Sequence, residues 1–248
     1  MLIESDRHRA EDSVVWRVFA EADCEHSRTA QFLRHAADAK RQIIGFHKRP
    51  KPYYVGCSWG KDSVVLLHLF LGLGYSPRVV YVRQLDNENP ESLRVRDAFL
   101  SRFDVPDYEE IAYSYADAEP DWFAPDGRPI KWYRVLNDLR LRYGVHVTGV
   151  RADESSTRML RYQRFGCETR ASFAPFRFFR VADIFAYMSM FDLPIHPNYA
   201  MVGGGRWDRN RIRVTSIGNR EGTGHGRAEW EREYYGDVLG LALYIALD

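Results

Sequence analysis

The chain has 248 residues, 45% of them hydrophobic and 14% aromatic, enough to bury a sizeable core, so general disorder is excluded. Its net charge of +1 supplies no global pull on nucleic acid, and such a partner would need a local patch. No stretch approaches the ~18 apolar residues of a membrane helix, and Met1-Leu2-Ile3-Glu4-Ser5-Asp6 lacks the basic start of a secretory signal, so a cytoplasmic protein with no membrane partner is expected.

Two helical patterns precede residue 50. Val14, Val15, Val18 and Phe19 make a short one; Phe32, Leu33, Ala36, Ala37, Ile43 and Ile44 make a longer one, ending at Arg49-Pro50-Lys51-Pro52. Strand and helix then alternate. Residues 53–58 read as a buried strand, 62–73 as a helix packed under a sheet, and 78–85 as a second strand. Asn89-Pro90-Glu91 opens a helix running to about Phe103, with a capping residue, a first-turn proline and a first-turn acid. Residues 108–115 form a third strand, followed by a loop rich in Asp, Pro and Gly, a helix over 131–143 and a fourth strand over 145–150. This order predicts an α/β fold with a doubly wound, mainly parallel sheet. Beyond Arg151 the pattern is irregular, with one helix over 181–191; Gly203-Gly204-Gly205 and residues 222–226 read as mobile loops. The expected division is an N-terminal helical extension (1–50), a nucleotide-binding α/β domain (51–200) and a loop-rich C-terminal extension (201–248).

The chemistry concentrates in Ser58-Trp59-Gly60-Lys61-Asp62-Ser63, between the first strand and its helix. A helix start at the carboxyl end of a parallel strand offers free N–H groups and a positive dipole end to an anion. Gly60 lets the backbone approach closely, Ser58 and Ser63 offer hydroxyls, and Lys61 supplies a charge for a polyphosphate. Asp62 would cap the helix or help to hold Mg²⁺. A Walker A loop is excluded, because Val55 stands where its first glycine belongs and Asp62 where its Ser or Thr belongs.

Continued as Val64-Val65-Leu66-Leu67-His68-Leu69, this segment resembles the pyrophosphate-binding loop of the adenine nucleotide α-hydrolase-like superfamily. The nearest branch is the phosphoadenosine phosphosulfate reductase family, with the small subunit of bacterial ATP sulfurylase and the DNA phosphorothioation enzymes. A second stretch, Gly149-Val150-Arg151-Ala152-Asp153-Glu154-Ser155-Ser156-Thr157-Arg158, is similar to the family's Gly-x-Arg-x-x-(Glu/Gln)-Ser-x-x-Arg segment. Two arginines beyond a strand end can bracket an anion; i,i+4 pairing of Glu154 with Arg158 on a surface helix is the plainer reading. A third stretch, from Pro175-Phe176-Arg177 through Asp183 and Tyr187 to His196-Pro197-Asn198-Tyr199, resembles the family's Pro…Asp…Tyr…His-Pro-x-Tyr run, with Arg180 where relatives carry tryptophan.

The resemblance implies ATP and Mg²⁺ as cofactors: Ser58, Trp59, Gly60, Lys61, Asp62, Ser63, Gly149 and Arg151 would hold the nucleotide, and Lys61, Arg151 and Arg158 would act on the α-phosphate. Glu154, Ser155, Arg158, Arg177 and His196 would contact the substrate, and Asp62 would touch the metal. The family's reductases attack sulfur with a tail cysteine, whereas the cysteines here are Cys24, Cys57 and Cys167. Their odd number and wide spacing argue against a disulfide framework or a four-cysteine iron–sulfur site. Adenylation of an acceptor with pyrophosphate release is therefore the expectation, the acceptor being sulfate, a nucleic acid or a modified nucleotide. Phosphosulfate reduction through Cys167 and a non-catalytic nucleotide-binding subunit docking through the N-terminal helices are the alternatives. Arg206, Arg209, Arg211 and Arg213, near Trp207, are the candidate nucleic-acid contacts, with a solvated loop countered by Asp208 as the alternative.

Overall fold

A computed structural model describes residues 1–114, 131–218 and 226–245. Five parallel strands form one sheet in the order β3-β2-β1-β4-β5. They are β1 (Tyr53–Gly56), β2 (Arg78–Gln84), β3 (Tyr108–Tyr113), β4 (Val145–Val147) and β5 (Ser172–Phe173). The helices are α1 (Ala10–His26), α2 (Ala30–His47), α3 (Lys61–Gly72), α4 (Glu91–Leu100), α5 (Lys131–Tyr143), α6 (Ser156–Phe165), α7 (Val181–Met190) and α8 (Arg227–Ile245). The predicted doubly wound parallel sheet is thus present. The Asp/Pro/Gly-rich loop after β3 and residues 222–225 lie outside the described residues.

Strand alternation decides what each face of the sheet packs against. Val55, Val79 and Val147 are matched in register and point to the face packed by α3 and α7, where Val65, Leu66, Ile184 and Phe185 are fully buried. Tyr54 and Val80 point the other way, onto Leu139 of α5, in a smaller cluster with Val82, Ile111 and Val135. The nearly continuous apolar character of α3 follows, because α7 covers the side that the sheet does not.

Both N-terminal helices form and pack on α7, but only half of the apolar stripe read on α1 is its contact: Val15 and Phe19 pack against the core, whereas Val14 and Val18 are exposed. Charge anchors α1 as well. Asp12 is fully buried and accepts hydrogen bonds from the Val202 and Gly203 N–H groups (3.0 and 2.7 Å) and from the Tyr234 hydroxyl (2.9 Å). This anchor holds Gly203–Gly205 in a tight turn; all three glycines have positive φ, and Trp207 packs where a Cβ on Gly203 would stand.

The loop-rich reading of residues 201–248 is corrected by α8, whose signal is weakened by Gly236 and Gly240. Tertiary contacts supply what propensity lacks: the Trp230 Nε1–H donates to the Met201 carbonyl (2.8 Å), and the Tyr235 hydroxyl bonds Asn198 (2.5 Å). Two further elements emerge from the region read as irregular, α6 and the two-residue β5. One buried cluster joins Phe32 and Ile43, Val55 and Val147, and Trp230 and Tyr235.

Of the arginines near Trp207, Arg206 and Arg211 are exposed and Arg209 is buried. Arg206 lies over the Trp207 ring and pairs with Glu233, while Arg211 lies beside Asp208. Arg209 is buried, donates bidentately to Asp23 (Nη1–Oδ2 2.8 Å) and is sandwiched by Phe19 and Phe185 at 4.3 and 4.1 Å. Arg209→Ala strands the Asp23 carboxylate in the interior and is expected to cost about 3–5 kcal/mol in urea denaturation. An Arg209→Met/Asp23→Leu double variant, which removes both charges and keeps apolar bulk, should recover most of that loss.

Candidate active site

The predicted phosphate loop lies at the carboxyl end of β1, and Gly60 is the N-cap of α3. Its shape is held from within. The Ser63 hydroxyl donates to the Gly60 carbonyl (2.9 Å) and accepts from the Ser58 N–H (3.2 Å), with the Ser58 hydroxyl 3.4 Å away. Trp59 has φ +58°, a conformation that most side chains avoid. Its indole is fully buried among Tyr81, Phe99 and Tyr108, which fixes the turn. Trp59 therefore serves the loop through its backbone, and its side chain belongs to the core.

The loop is supported from below by the C-terminal part of the chain. A Cβ on Gly60 would fall 2.9 Å from Val214 and 3.5 Å from the Tyr199 hydroxyl. That hydroxyl accepts the Lys61 N–H (3.4 Å), and the Lys61 ammonium lies 5.0 Å from the centroid of the same ring. Tyr199 stands in the third motif, but nothing in its spacing reveals that it underlies the loop. Lys61 is 7% exposed, and burial lowers its pKa.

The Gly149–Arg158 stretch meets this loop across the crevice between β1 and β4. A Cβ on Gly149 would fall 2.7 Å from the Asp62 carbonyl oxygen, so only glycine permits the approach. The charges then alternate across the gap. Lys61 donates to Asp62 Oδ2 (2.9 Å), and Arg151 pairs with Asp62 Oδ1. Arg151, 4% exposed, also donates through Nε to Asp153 (2.9 Å), and Glu154 pairs with Arg158. Asp153, which orients Arg151 as its place between the two arginines of the motif allows, accepts the Val181 N–H (3.1 Å) as well and ties Arg151 to the start of α7.

Not every expected residue comes to this place. The Ser155 hydroxyl caps α6 by accepting the Arg158 N–H (3.2 Å). Arg177 stacks over the neighbouring Phe178 ring at 5.2 Å and does not line the cavity beside the loop. His196 is corrected to a turn residue: it is 1% exposed, accepts the Asn198 N–H at Nδ1 (3.2 Å) and has Ser92 Oγ 3.3 Å from Nε2. Burial pushes its pKa down to about 3.

A cavity of about 250 Å³ opens beside the loop. Ser58, Asp62, Ser63, Gly149, Glu154 and Arg158 line its outer end, and the sheet face and α5 line its inner end. Loop amides, serine hydroxyls and paired cations suit an oxyanion. The donor set does not suit a protein-held metal. Both Asp62 oxygens face cations, and no group of three His, Cys, Asp or Glu that could hold a metal ion occurs among the described residues.

The profile of the phosphoadenosine phosphosulfate reductase domain matches residues 52–225. The chain belongs to this family. The match spans the sheet, the loop and the Gly149–Arg158 stretch. No protein with a curated description matches the chain. Among solved structures, it is similar to the U34-tRNA thiolase NcsA from Methanococcus maripaludis with its [4Fe-4S] cluster (14% identity, 65% of each chain, TM-score 0.44). The chain thus spans about two thirds (65%) of that thiolase. It is also similar to NMN synthetase from Francisella tularensis (14% identity, 66% of this chain and 70% of that one, TM-score 0.45). A third similarity is to phosphoadenylyl-sulfate reductase from Candida auris in a phosphate complex (13% identity, 64% and 82%, TM-score 0.45). No helix among the described residues is long and apolar enough to cross a membrane.

Two predictions follow from the packing of this family site. Gly149→Ala sets a methyl against backbone that cannot swing aside, and should lower stability by about 1–3 kcal/mol and weaken binding of inorganic tripolyphosphate, both read by calorimetry. The second concerns acid. Burial depresses His68 and His146 to about 4 and His196 to about 3, below their ordinary 6.5. The unfolded chain therefore binds more protons between these values. The stability is present above pH 6.5 and is lost as pH falls towards 4. Urea midpoints should drop across that window, and a flat profile would contradict neutral buried imidazoles.

Proposed function

We propose that the chain cleaves ATP between the α- and β-phosphates and transfers the adenylyl group to an acceptor. The observation that carries this reading is the meeting of buried Lys61, buried Arg151 and the amino end of α3 at Asp62, which lines one end of a cavity. A desolvated cation at a helix start favours a multiply charged oxyanion, which a polyphosphate supplies. The loop amides, Ser58, Ser63 and Lys61 would hold the β- and γ-phosphates. Arg151 and Arg158 would stabilise charge developing at the α-phosphate or fix the acceptor. In the transfer, an acceptor nucleophile bonds to the α-phosphorus, the bond to the β-bridging oxygen breaks, and pyrophosphate leaves with that electron pair. The carboxylates at the mouth are committed to arginine and lysine, so no step is assigned to Mg²⁺.

The thiol chemistry of a reductase finds less support in these residues. Cys57 borders the cavity but is 2% exposed, and burial pushes its thiol up to about 12. Cys167 is buried elsewhere and its pKa is also raised, chiefly by burial. A nucleophilic sulfur must be a thiolate, which neither site favours at neutral pH.

The test is pyrophosphate release from ATP in the presence of sulfate, oligonucleotides or nucleosides. Release with one acceptor, lowered about 10²–10³-fold by Arg151→Ala, is the expected outcome. ATP binding without release from any acceptor would replace the enzyme by a nucleotide-binding subunit. Thioredoxin-dependent turnover of phosphoadenosine phosphosulfate abolished by Cys167→Ser would replace it by a reductase.

A further inference from the structure

The amino-terminal end of the sheet, opposite the phosphate loop, carries a charged hollow. It holds about 800 Å³ between the last turn of α5 and the segments that enter β1, β4 and β5. Gly144 brings the turn after α5 down onto the segment before β1. A Cβ there would stand 2.1 Å from the Pro52 carbonyl oxygen, and its φ is +87°. The charged residues lining the hollow are Lys51, Arg140 and Arg170, one from each of three segments, and all three are exposed. No carboxylate stands among the described residues that line it.

The positive surplus outlasts local pairing. Lys51 shares Glu168 with Arg49, and Arg142 pairs with Asp138 at 3.2 Å. Neither Arg140 nor Arg170 has a carboxylate partner among the described residues. Basic side chains in the last turn of α5 offset the carbonyl end of its dipole. That accounts for Arg140 and Arg142, but not for Arg170 and Lys51, which come from other segments. Arg49, Lys51, Arg140, Arg142 and Arg170 thus stand against Glu168 and Asp138, a local excess in a chain whose net charge is +1. By contrast Arg206, Arg209 and Arg211, the arginines near Trp207, each lie beside a carboxylate.

What the hollow offers defines its ligand. The N–H groups of Lys51, Gly144, Val145 and Ala171 already donate within the protein, so they form no backbone nest for a compact anion. The cations are exposed and spread over three segments, which suits charges repeated along a chain. Arginine forks match phosphodiester oxygens bidentately. No aromatic ring stands among the described lining residues, so bases find nothing there to stack on. A concave site is also closed to a flat lipid surface.

We infer that this hollow binds the phosphate backbone of a nucleic acid, without regard to base sequence, through Arg140, Arg170 and Lys51. The contact lies at the opposite end of the strands from the phosphate loop and stands independently of the adenylation reading.

Fluorescence anisotropy of the full chain with labelled oligonucleotides of mixed sequence, duplex and single-stranded, tests this in the absence of ATP. At about 50 mM salt the wild type should bind, and log Kd should rise linearly with the logarithm of salt concentration. The double variant Arg140→Gln/Arg170→Gln should weaken binding about tenfold or more and lower the salt slope by about 2. Arg206→Gln, in the other arginine cluster, should bind as the wild type does. Both variants change exposed side chains, and their melting midpoints should match the wild type's. No binding by the wild type overturns the inference, as does a double variant with wild-type affinity and slope. An equal loss in Arg206→Gln overturns it too, since the effect is then one of overall charge. Polyglutamate bound as tightly as the oligonucleotides, and weakened alike in the double variant, would assign the hollow to an acidic peptide instead.

Discussion

Arg151 reaching Asp62 across the crevice is the contact on which the site turns. It joins the loop after β1 to the loop after β4, 89 residues apart in sequence, and Arg151 is almost wholly withdrawn from water. A guanidinium there persists only with carboxylates in place, and Asp62, Asp153 and Glu154 all lie around it. Lys61 and Arg158 extend the chain of alternating charge on either side. An arriving oxyanion therefore meets cations already dehydrated and positioned, and competes with carboxylates for them. Gly149 is a condition of this contact, because a side chain there would hold the two loops apart.

Beside Tyr199, the floor of the site comes from parts of the chain that carry none of its motifs. Val214 lies under Gly60. Its segment is clamped by Arg227, which donates to the carbonyls of Arg213 (3.1 Å), Thr215 (3.4 Å) and Ser216 (3.2 Å) and pairs with Glu231. The same stretch is tied to α1 through Arg209 and Asp23, and α1 is tied to α8 through Asp12 and Tyr234. The first and last helices thus act on the loop indirectly, by fixing what it rests upon.

The central alternation of strand and helix was readable because each strand is a short apolar run bounded by turn residues, and each helix buries one broad face. The loop was readable because glycine, lysine and helix start fall at one strand end. What escaped has physical causes. Gly236 and Gly240 disguise α8, which is held by Trp230, Tyr234 and Tyr235 reaching distant partners. The two-residue β5 exists through pairing with β4, a long-range event that leaves no periodicity. His196 looked like a contact because it is a polar residue between prolines, yet its hydrogen bonds are local and its ring is sealed. His146 went unnoticed within an apolar strand, because only the register of β4 against β1 sets it opposite Tyr54.

Charge is distributed along the cavity in a way that gives a ligand one orientation. Among the described residues that line it, the formal charges, on Asp62, Glu154 and Arg158, belong to the outer end, and the inner end holds neutral groups. A protonated His146 would break that order by placing a second cation near Arg140, and desolvation together with that arginine is what keeps the ring neutral. An imidazolium at the inner end would attract phosphate to the wrong place and could no longer accept a hydrogen bond. A neutral imidazole does neither. The charged groups thus stand paired at the strand termini, and the sheet face is left to shape and hydrogen bonding.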